Sequence, residues 1–227
     1  MKKIVVFSGA GISAESGLST FRDQGGLWDK YPIEEVATVD AWNANPEKVT
    51  DFYNLRRENC KDVKPNDAHR LIADLEKKYL VNIVTQNIDD LHERSGSTNV
   101  LHLHGQIMLA RSWGTKKTYP IKNNDSIIYG DKCPDGFLLR PDVVWFGEAV
   151  PNMNKAAEIV SQADFFIIIG TSLQVYPAAG LVNLTSEKCE KFIIDPNEMI
   201  NVNGISHIKL PATKGMKKVY KQLINAV

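Results

Sequence analysis

Small or polar residues stand at the ends of five short apolar runs, and these are the residues best suited to chemistry. They are Gly9, Ala10 and Gly11; Gln86, Asn87, Asp89 and Asp90; His104; Gly170, Thr171 and Ser172; and Asp195 and Asn197. Glycines at such a turn let the backbone approach a pyrophosphate, whose charge the amide groups of a following helix stabilise. Amide and carboxylate side chains nearby favour one shared ligand crevice.

His104, directly before Gly105, is the candidate general base, because imidazole titrates near neutral pH. By strand alternation His102 lies on the same face, but we interpret His102 as a hydrogen-bonded structural residue. Neither a Ser–His–Asp set nor a metal-spaced cluster of histidines and acids is evident in the sequence.

Each of these signals also has a structural interpretation. The glycine turn lacks the G-x-G-x-x-G spacing, and the acid expected about 20 residues later is not clear. Many strand-to-helix turns contain glycine for packing alone. Taken singly, Asn87, Asp89 or Asp90 is better explained as capping a helix or closing a turn. It is the convergence of four or five strand ends that favours a binding site.

The elements that must position these residues alternate along the chain. Apolar runs predict strands at 3–7, 81–85, 100–103, 165–169, 191–194 and 207–210. Helical periodicity predicts helices at 46–59, 68–79, 154–162 and 214–227. This alternation, with runs as continuously apolar as FFIIIG, predicts an α/β fold. We expect a Rossmann-like doubly wound parallel sheet with ligands at the carboxyl ends of its strands.

Two polar, turn-rich stretches interrupt the alternation and predict a small inserted module. We place the Rossmann-like core at 1–22, 66–104 and 143–227, and the small module at 23–65 and 105–142. Within the module, the pieces SIIYG and FLLRP resemble short strands. Its candidate core residues are Ile107, Trp113, Tyr119, Ile121, Ile127, Ile128, Tyr129 and Phe137.

Composition excludes several classes of protein. The 27 basic and 27 acidic side chains give no net charge, so there is no basic footprint for specific nucleic-acid binding. The apolar runs are too short to span a bilayer, and the run after the initial MKK is shorter than a signal peptide requires. Cys60, Cys133 and Cys189 are odd in number and far apart, as suits free thiols. We therefore expect a cytoplasmic protein with no membrane partner.

Five motifs, taken in order, resemble those of the sirtuins, the NAD-dependent protein-lysine deacylases. They are GAGISAESGLSTFRD followed by GGLW, TQNIDDLHERSG, HLHG, RPDVVWFGE and GTSLQVYPAAGLV. They extend from about residue 3 to residue 197, and the five together are far more specific than the glycine turn alone. The resemblance implies one catalytic domain over 1–227, with a Rossmann-like core, a small module and NAD as the cofactor.

The resemblance also implies roles for individual residues. NAD would be bound by Gly9, Ala10, Gly11, Ala14, Glu15, Thr20, Phe21, Arg22, Trp28, Gln86, Asn87, Ile88, Asp89, Gly170, Thr171, Ser172 and Asn197. Catalysis would depend on His104, Asn87 and Asp89. The acyl-lysine substrate would pair as an added strand and contact Val143, Val144, Phe146, Gly147 and Glu148. Phe21 would shield the reactive sugar carbon.

In the family's reaction the acyl oxygen attacks the nicotinamide ribose, nicotinamide leaves, and His104 draws a proton from the ribose hydroxyls. The products are free lysine and O-acyl-ADP-ribose, so the implied partners are acyl-lysine proteins or peptides. The resemblance also implies that the enzyme is a monomer. Two alternatives remain open: an NAD hydrolase or ADP-ribosyltransferase on the same fold, and a non-catalytic NAD-sensing module. The VVWFGE segment argues against the first. Asn87, Asp89 and His104 together argue against the second.

One departure and one addition distinguish this sequence. Sirtuins usually hold a structural zinc with four cysteines, but residues 105–147 contain only Cys133 and no histidine, so we predict no zinc. Tyr53 and Arg56, spaced i,i+3, resemble the pair that binds the acyl carboxylate in desuccinylating and demalonylating sirtuins. The alternative is a surface arginine beside Glu58 and a tyrosine packed in the core; we favour the acyl-binding role.

Overall fold

Six parallel strands form the central sheet in the computed structural model, which describes residues 1–20, 31–121, 126–197 and 204–225. The strands are β1 (Lys3–Ser8), β2 (Leu80–Thr85), β3 (Val100–His102), β7 (Phe165–Ile169), β8 (Glu190–Ile194) and β9 (Ser206–Ile208). Their order in the sheet is β3-β2-β1-β7-β8-β9. Each coincides with a predicted strand to within two residues, and the predicted doubly wound α/β fold is confirmed.

Helices cover both faces of this sheet. Among the described residues they are α1 (Gly11–Ala14), α2 (Ile33–Val36), α3 (Val39–Ala44), α4 (Pro46–Lys61), α5 (Asp67–Leu75), α6 (Leu91–Arg94), α7 (Met153–Ser161) and α8 (Ala212–Asn225), with a 3₁₀ helix at Ala178–Leu184. α5 and α8 pack on one face, and α7 and the 3₁₀ helix pack on the other. Every residue of β7 is therefore buried, which explains its continuous apolar run.

The helix boundaries follow local chemistry. α4 begins at Pro46 because the Asn45 side chain accepts a hydrogen bond from the Lys48 amide at 3.0 Å. α5 ends at Leu75, four residues before the predicted end, where the chain turns into β2. None of the helices within the described ranges is long and apolar enough to cross a membrane.

A second, antiparallel sheet forms the small module. It consists of β4 (Gly105–Ser112), β5 (Thr118–Pro120) and β6 (Leu139–Val143) in the order β5-β4-β6. The core between this sheet and the helices contains Trp42, Phe52, Tyr53, Ile107 and Trp145.

Part of the predicted module is wrong. The SIIYG piece is not a strand: the Asn54 side chain binds both the N–H and the C=O of Ile127, at 3.1 and 2.8 Å, and so takes the place of a strand partner. Ile127 is buried, but Ile128, Tyr129 and Phe137 are 58%, 47% and 47% exposed and lie outside the core. Helices α3 and α4 supply much of the module core, and of these two only α4 was predicted.

Candidate active site

The glycine turns after β1 and β7 touch each other. The Gly9 amide donates to the Ile169 carbonyl at 3.1 Å, and the Gly11 amide donates to the Gly170 carbonyl at 2.8 Å. A Cβ on Gly9 or Gly11 would lie within 2.8 Å of this second turn, and Gly170 has a φ of +64°. The glycines thus allow two strand ends to meet, and these two amides are used within the protein.

The rest of the first turn is more open. Ala10 is half-buried, while Ala14 and Glu15 are exposed. The Glu15 carboxylate accepts hydrogen bonds from the amide and hydroxyl of Thr213, both at 2.8 Å, so it joins the turn to the start of α8. Thr20 is half-buried. The predicted cofactor residues Phe21, Arg22 and Trp28 lie outside the described residues.

The loop after β2 brings an amide, a carboxylate and a hydroxyl together. The Asn87 side-chain amide donates to the Ser13 hydroxyl at 3.2 Å, and that hydroxyl donates to Asp89 at 3.2 Å. All three side chains are buried. Burial raises the pKa of Asp89, although hydrogen bonds from the Leu91 amide and Ser13 oppose it. Ser13 was not predicted, because a serine in the glycine turn gives no signal until the fold places it opposite Asp89.

The other loop residues divide between this crevice and the scaffold. Gln86 donates from its side-chain amide to the Thr171 hydroxyl at 3.0 Å, which links the ends of β2 and β7. Asp90, by contrast, precedes α6 and pairs with Arg94 at 3.4 Å, but its side chain makes no capping hydrogen bond. Ile88 packs against the small-module core.

The ends of β7 and β8 supply the remaining predicted ligands. Ser172 directly follows Thr171 after β7. Beyond β8, Asp195 is buried, and one of its carboxylate oxygens accepts from the Asn197 amide at 2.8 Å and from its side chain at 3.1 Å. Asn197 itself is exposed.

His104 lies beside this loop and is half-buried. Its Nδ1 is 3.1 Å from the Gln86 carbonyl oxygen. Since a carbonyl only accepts, Nδ1 carries the proton and Nε2 keeps its lone pair. Burial lowers the pKa of His104, against the effect of the Gln86 hydrogen bond. The ring is therefore neutral near pH 7 and able to accept a proton at Nε2.

The segment 143–148 is joined directly to His104. The Val144 amide donates to the His104 carbonyl at 2.8 Å. Gly105, which follows His104 and pairs with Val143, has a φ of +86°, and a Cβ there would lie 2.1 Å from the Asp142 carbonyl oxygen, so only glycine fits. Val143 is buried, whereas Phe146 and Gly147 are exposed. The Phe146 amide donates to Ala37 at 3.0 Å.

A buried ion pair holds this segment in place. Arg140 of β6 donates to both carboxylate oxygens of Glu148, at 3.0 and 2.7 Å, and to the Val143 carbonyl at 2.6 Å. The Trp145 amide also donates to Glu148 at 2.9 Å. The Arg140 guanidinium lies 3.6 Å from the Trp145 ring centroid and 5.5 Å from that of Trp113.

Tyr53 and Arg56 lie on α4 beside the crevice. Tyr53 is only 2% exposed, its ring meets Phe52 edge-on at 5.0 Å, and burial raises its pKa to about 12. The Arg56 guanidinium is 5.8 Å from the Phe52 ring centroid. Burial lowers the pKa of Arg56, although the charges of Tyr53 and Asp89 act in the opposite direction. Arg56 thus lies close enough to Asp89 for their charges to interact.

The small module offers few metal ligands. Cys133 is buried, with its thiol 3.5 Å from the Ser112 hydroxyl. Within the described ranges, no group of three or more histidine, cysteine or acidic side chains is placed to hold a metal ion.

A parallel sheet whose strand ends converge on buried polar side chains and a histidine is typical of nucleotide-dependent α/β enzymes. The chain matches the Sir2 family over residues 9–177 and belongs to that family.

Known proteins with similar sequence or structure agree with this membership. An NAD-dependent protein deacylase of Bacteroides thetaiotaomicron is 47% identical over 233 residues and covers 100% of both chains. A protein of the same description from Aggregatibacter actinomycetemcomitans is 50% identical over 91% of this chain and 99% of its own. A Sir2 homolog–NAD complex is 38% identical, with a TM-score of 0.87 over 99% of this chain and 90% of that one.

Proposed function

We propose that this chain is an NAD-dependent protein-lysine deacylase that removes acetyl groups and also succinyl or malonyl groups. The observation that supports it most is the position of His104. Its proton-accepting nitrogen belongs to a ring anchored on Gln86, and its main chain is bonded to Val144 of the segment 143–148. His104 thus connects the loop after β2, which would bind NAD, to the segment 143–148, which would bind the substrate. Family membership supports the same reaction.

The crevice fits NAD in its chemistry. Ligands of doubly wound sheets bind at the carboxyl ends of the strands, where the buried Asn87 and Asp89 lie. These two would bind the nicotinamide ribose, while Gly170, Thr171 and Ser172 would contact the adenosine half and Asn197 its ribose. NAD, when bound, supplies the sugar carbon that accepts the acyl oxygen. His104 Nε2 would take a proton from the ribose hydroxyls.

The acyl-lysine would enter beside the segment 143–148. The buried Val143 pairs with Gly105, the residue after His104, and the exposed Phe146 and Gly147 offer backbone to an extended peptide. Because the Phe146 amide already donates to Ala37, the peptide would pair with other main-chain groups of the segment.

Tyr53 and Arg56 would read the end of the acyl group. A guanidinium forms two parallel hydrogen bonds with a carboxylate, and a desolvated arginine binds an anion more strongly than an exposed one. Arg56 is half-buried and three residues from Tyr53 on the same helix. Its positive charge would attract a succinyl or malonyl carboxylate, and the Tyr53 hydroxyl would add a donor.

The decisive experiment measures nicotinamide release with acetyl-, succinyl- and long-chain acyl-lysine peptides and without peptide. We expect release only with peptide, and O-acyl-ADP-ribose as the product. Free ADP-ribose formed without peptide would instead identify an NAD hydrolase. Bound NAD without any release would identify a sensing module.

Arg56→Met tests the acyl preference. We expect kcat/KM for succinyl-lysine to fall by about 100-fold, since two charge-assisted hydrogen bonds are lost, while acetyl-lysine activity changes by less than about threefold. Arg70→Met, which removes an exposed arginine paired with Asp67 on α5, is the matched control. Equal losses on both peptides would refute the role of Arg56.

The same protein would act in the cytoplasm as a monomer. Its three cysteines are free and buried, as suits a reducing compartment.

A further inference from the structure

His102, two residues before the proposed base, has a hydrogen-bond acceptor at each ring nitrogen. Its Nδ1 lies 2.8 Å from the Asn87 carbonyl oxygen, and its Nε2 lies 2.8 Å from a carboxylate oxygen of Glu93. A neutral imidazole carries one N–H, so one of these contacts would place a lone pair against an oxygen. Both contacts are satisfied only when the ring is doubly protonated. The geometry therefore requires a cation.

This cation is held inside the protein. The His102 side chain is 6% exposed, whereas that of Glu93 is 38% exposed and forms the outer end of the pair. Burial alone would lower the pKa of His102, but the hydrogen bond and charge of Glu93 outweigh it and raise the pKa. The other titratable groups facing the ring are Asp89, which favours the charge, and His92, whose own pKa is lowered well below 6.5.

The ring also ties three elements together. His102 ends β3, Glu93 belongs to α6, and Asn87 lies in the loop between β2 and α6. On the far side, the Asn152 side chain donates to the His102 carbonyl at 2.8 Å. The His102 ring thus holds the Asn87 main-chain carbonyl, while the Asn87 side-chain amide donates to Ser13. Losing an N–H at His102 would release this carbonyl.

We propose that His102, as an imidazolium paired with Glu93, is a positioning residue that holds the Asn87 loop in its NAD-binding conformation. This rests on the proposed function, because NAD is the ligand concerned. The expected consequence is a two-sided pH dependence. His104 must lose its proton to act, so activity rises with pH through a value below 6.5. His102 must keep its proton, so NAD affinity falls as pH rises through a value above 6.5.

The protonation state is tested first by nitrogen-15 NMR of the free protein. The chain has five histidines, and the signals of His102 are identified as those that disappear in His102→Gln. We expect the His102 ring to remain doubly protonated as the pH is raised through 6.5. A singly protonated His102 ring at pH 6.5 would overturn the inference, whatever reaction the protein performs.

NAD affinity is then measured by titration calorimetry across pH. In Glu93→Gln the side-chain amide oxygen can still accept from His102 Nε2, but the negative charge that raises the pKa of His102 is gone. The fall in NAD affinity should therefore begin at a lower pH. His102→Gln can satisfy one acceptor only, and should weaken NAD binding about tenfold near pH 6.5, or about 1.4 kcal/mol, with the high-pH fall abolished. Glu158→Gln, an exposed acid on α7, is the control.

The outcomes separate the inference from the proposed function. Wild-type protein that binds NAD but deacylates no peptide would refute the deacylase proposal alone, and failure to bind NAD would refute both. Unchanged pH profiles in Glu93→Gln and His102→Gln, with wild-type turnover intact, would refute the inference alone.

Discussion

Two histidines at the end of one strand have opposite electrostatic surroundings. His104 faces a single carbonyl, and burial lowers its pKa, whereas His102 faces a carbonyl and a carboxylate and has a raised pKa. Environment, not residue type, decides which one can accept a proton. The sequence motif HLHG contains both residues, and only their partners distinguish a base from a fixed cation.

Replacing His104 with alanine tests the base directly. We expect nicotinamide-linked turnover to fall by about 10²–10⁴-fold, the usual contribution of a positioned general base. NAD binding, measured by calorimetry, should change by only a few-fold, because the side chain is not proposed to hold the cofactor's phosphates. Unchanged turnover would contradict the assignment, and a lost melting transition would show that His104 is needed for folding instead.

At the scale of elements, the Arg140–Glu148 pair couples β6 to the segment 143–148. The pair is bidentate, and Arg140 also donates to the Val143 carbonyl while lying on the Trp145 ring. The pair thereby fixes one edge of the small sheet beside the proposed substrate site. Its rigidity comes from charge and aromatic packing together.

Glu148→Gln is expected to lower the free energy of unfolding by about 3–5 kcal/mol, because it leaves the Arg140 cation buried without its counter-charge. Thermal melting or urea titration measures this loss. Sirtuin-type activity on every acyl peptide should fall as well, since the segment loosens.

The matched control is Glu58→Gln, which removes the partner of an exposed i,i+3 pair with Lys61. Exposed pairs contribute about 1 kcal/mol or less. Equal effects of the two substitutions would show that the buried pair has no special role.

Acidification should reproduce part of this loss. The pKa of Glu148 is lowered in the folded protein: burial would raise it, but the Arg140 hydrogen bond and charge prevail. A carboxylate with a depressed folded-state pKa stabilises the fold above its unfolded-state pKa and loses that contribution as pH falls through the folded value.

The sequence predicts the central sheet well and the small module poorly, for a physical reason. β7 is buried on both faces and reads as an unbroken apolar run. β4 is interrupted by a bulge between Gly105 and Ala110, so its burial does not alternate and no period of two appears. α3 was also missed, although Thr38 caps it by accepting from the Ala41 amide.

The sequence predicts which polar residues stand at each strand end, but it does not predict the hydrogen bonds between them. Ser13 and Asp89 are 76 positions apart, and their hydrogen bond exists only once β1 and β2 pair. Motif resemblance located Asn87, Asp89 and His104, but it could not reveal which amides of the glycine turn are already bonded within the protein.

At the scale of the whole molecule, the small module must be stable without relying on the usual zinc ligands. Residues 105–147 contain Cys133 alone among cysteines and histidines, whereas a structural zinc takes about four such ligands. Instead, the Trp42 ring packs against those of Trp113 and Trp145, with centroids 6.0 and 5.5 Å apart. The Arg140 guanidinium in turn lies over the rings of Trp113 and Trp145.

Metal analysis of the purified protein should therefore find no stoichiometric zinc, and EDTA should leave the melting temperature unchanged, since chelators unfold domains that depend on a structural metal. One bound zinc per chain, or a fall in melting temperature with EDTA, would contradict this.

The position of β1 between β2 and β7 has a consequence for biosynthesis. β7 begins 157 residues after β1 ends, so the ribosome needs roughly 8–30 s to deliver the second neighbour of the central strand. Throughout that time one edge of β1 has no partner, and an unpaired apolar edge is what chaperones recognise and aggregates grow from. The nascent chain is therefore most prone to aggregate after the glycine turn at 9–11 has been synthesised and before β7 and its turn, to which Gly9 and Gly11 bond, have emerged.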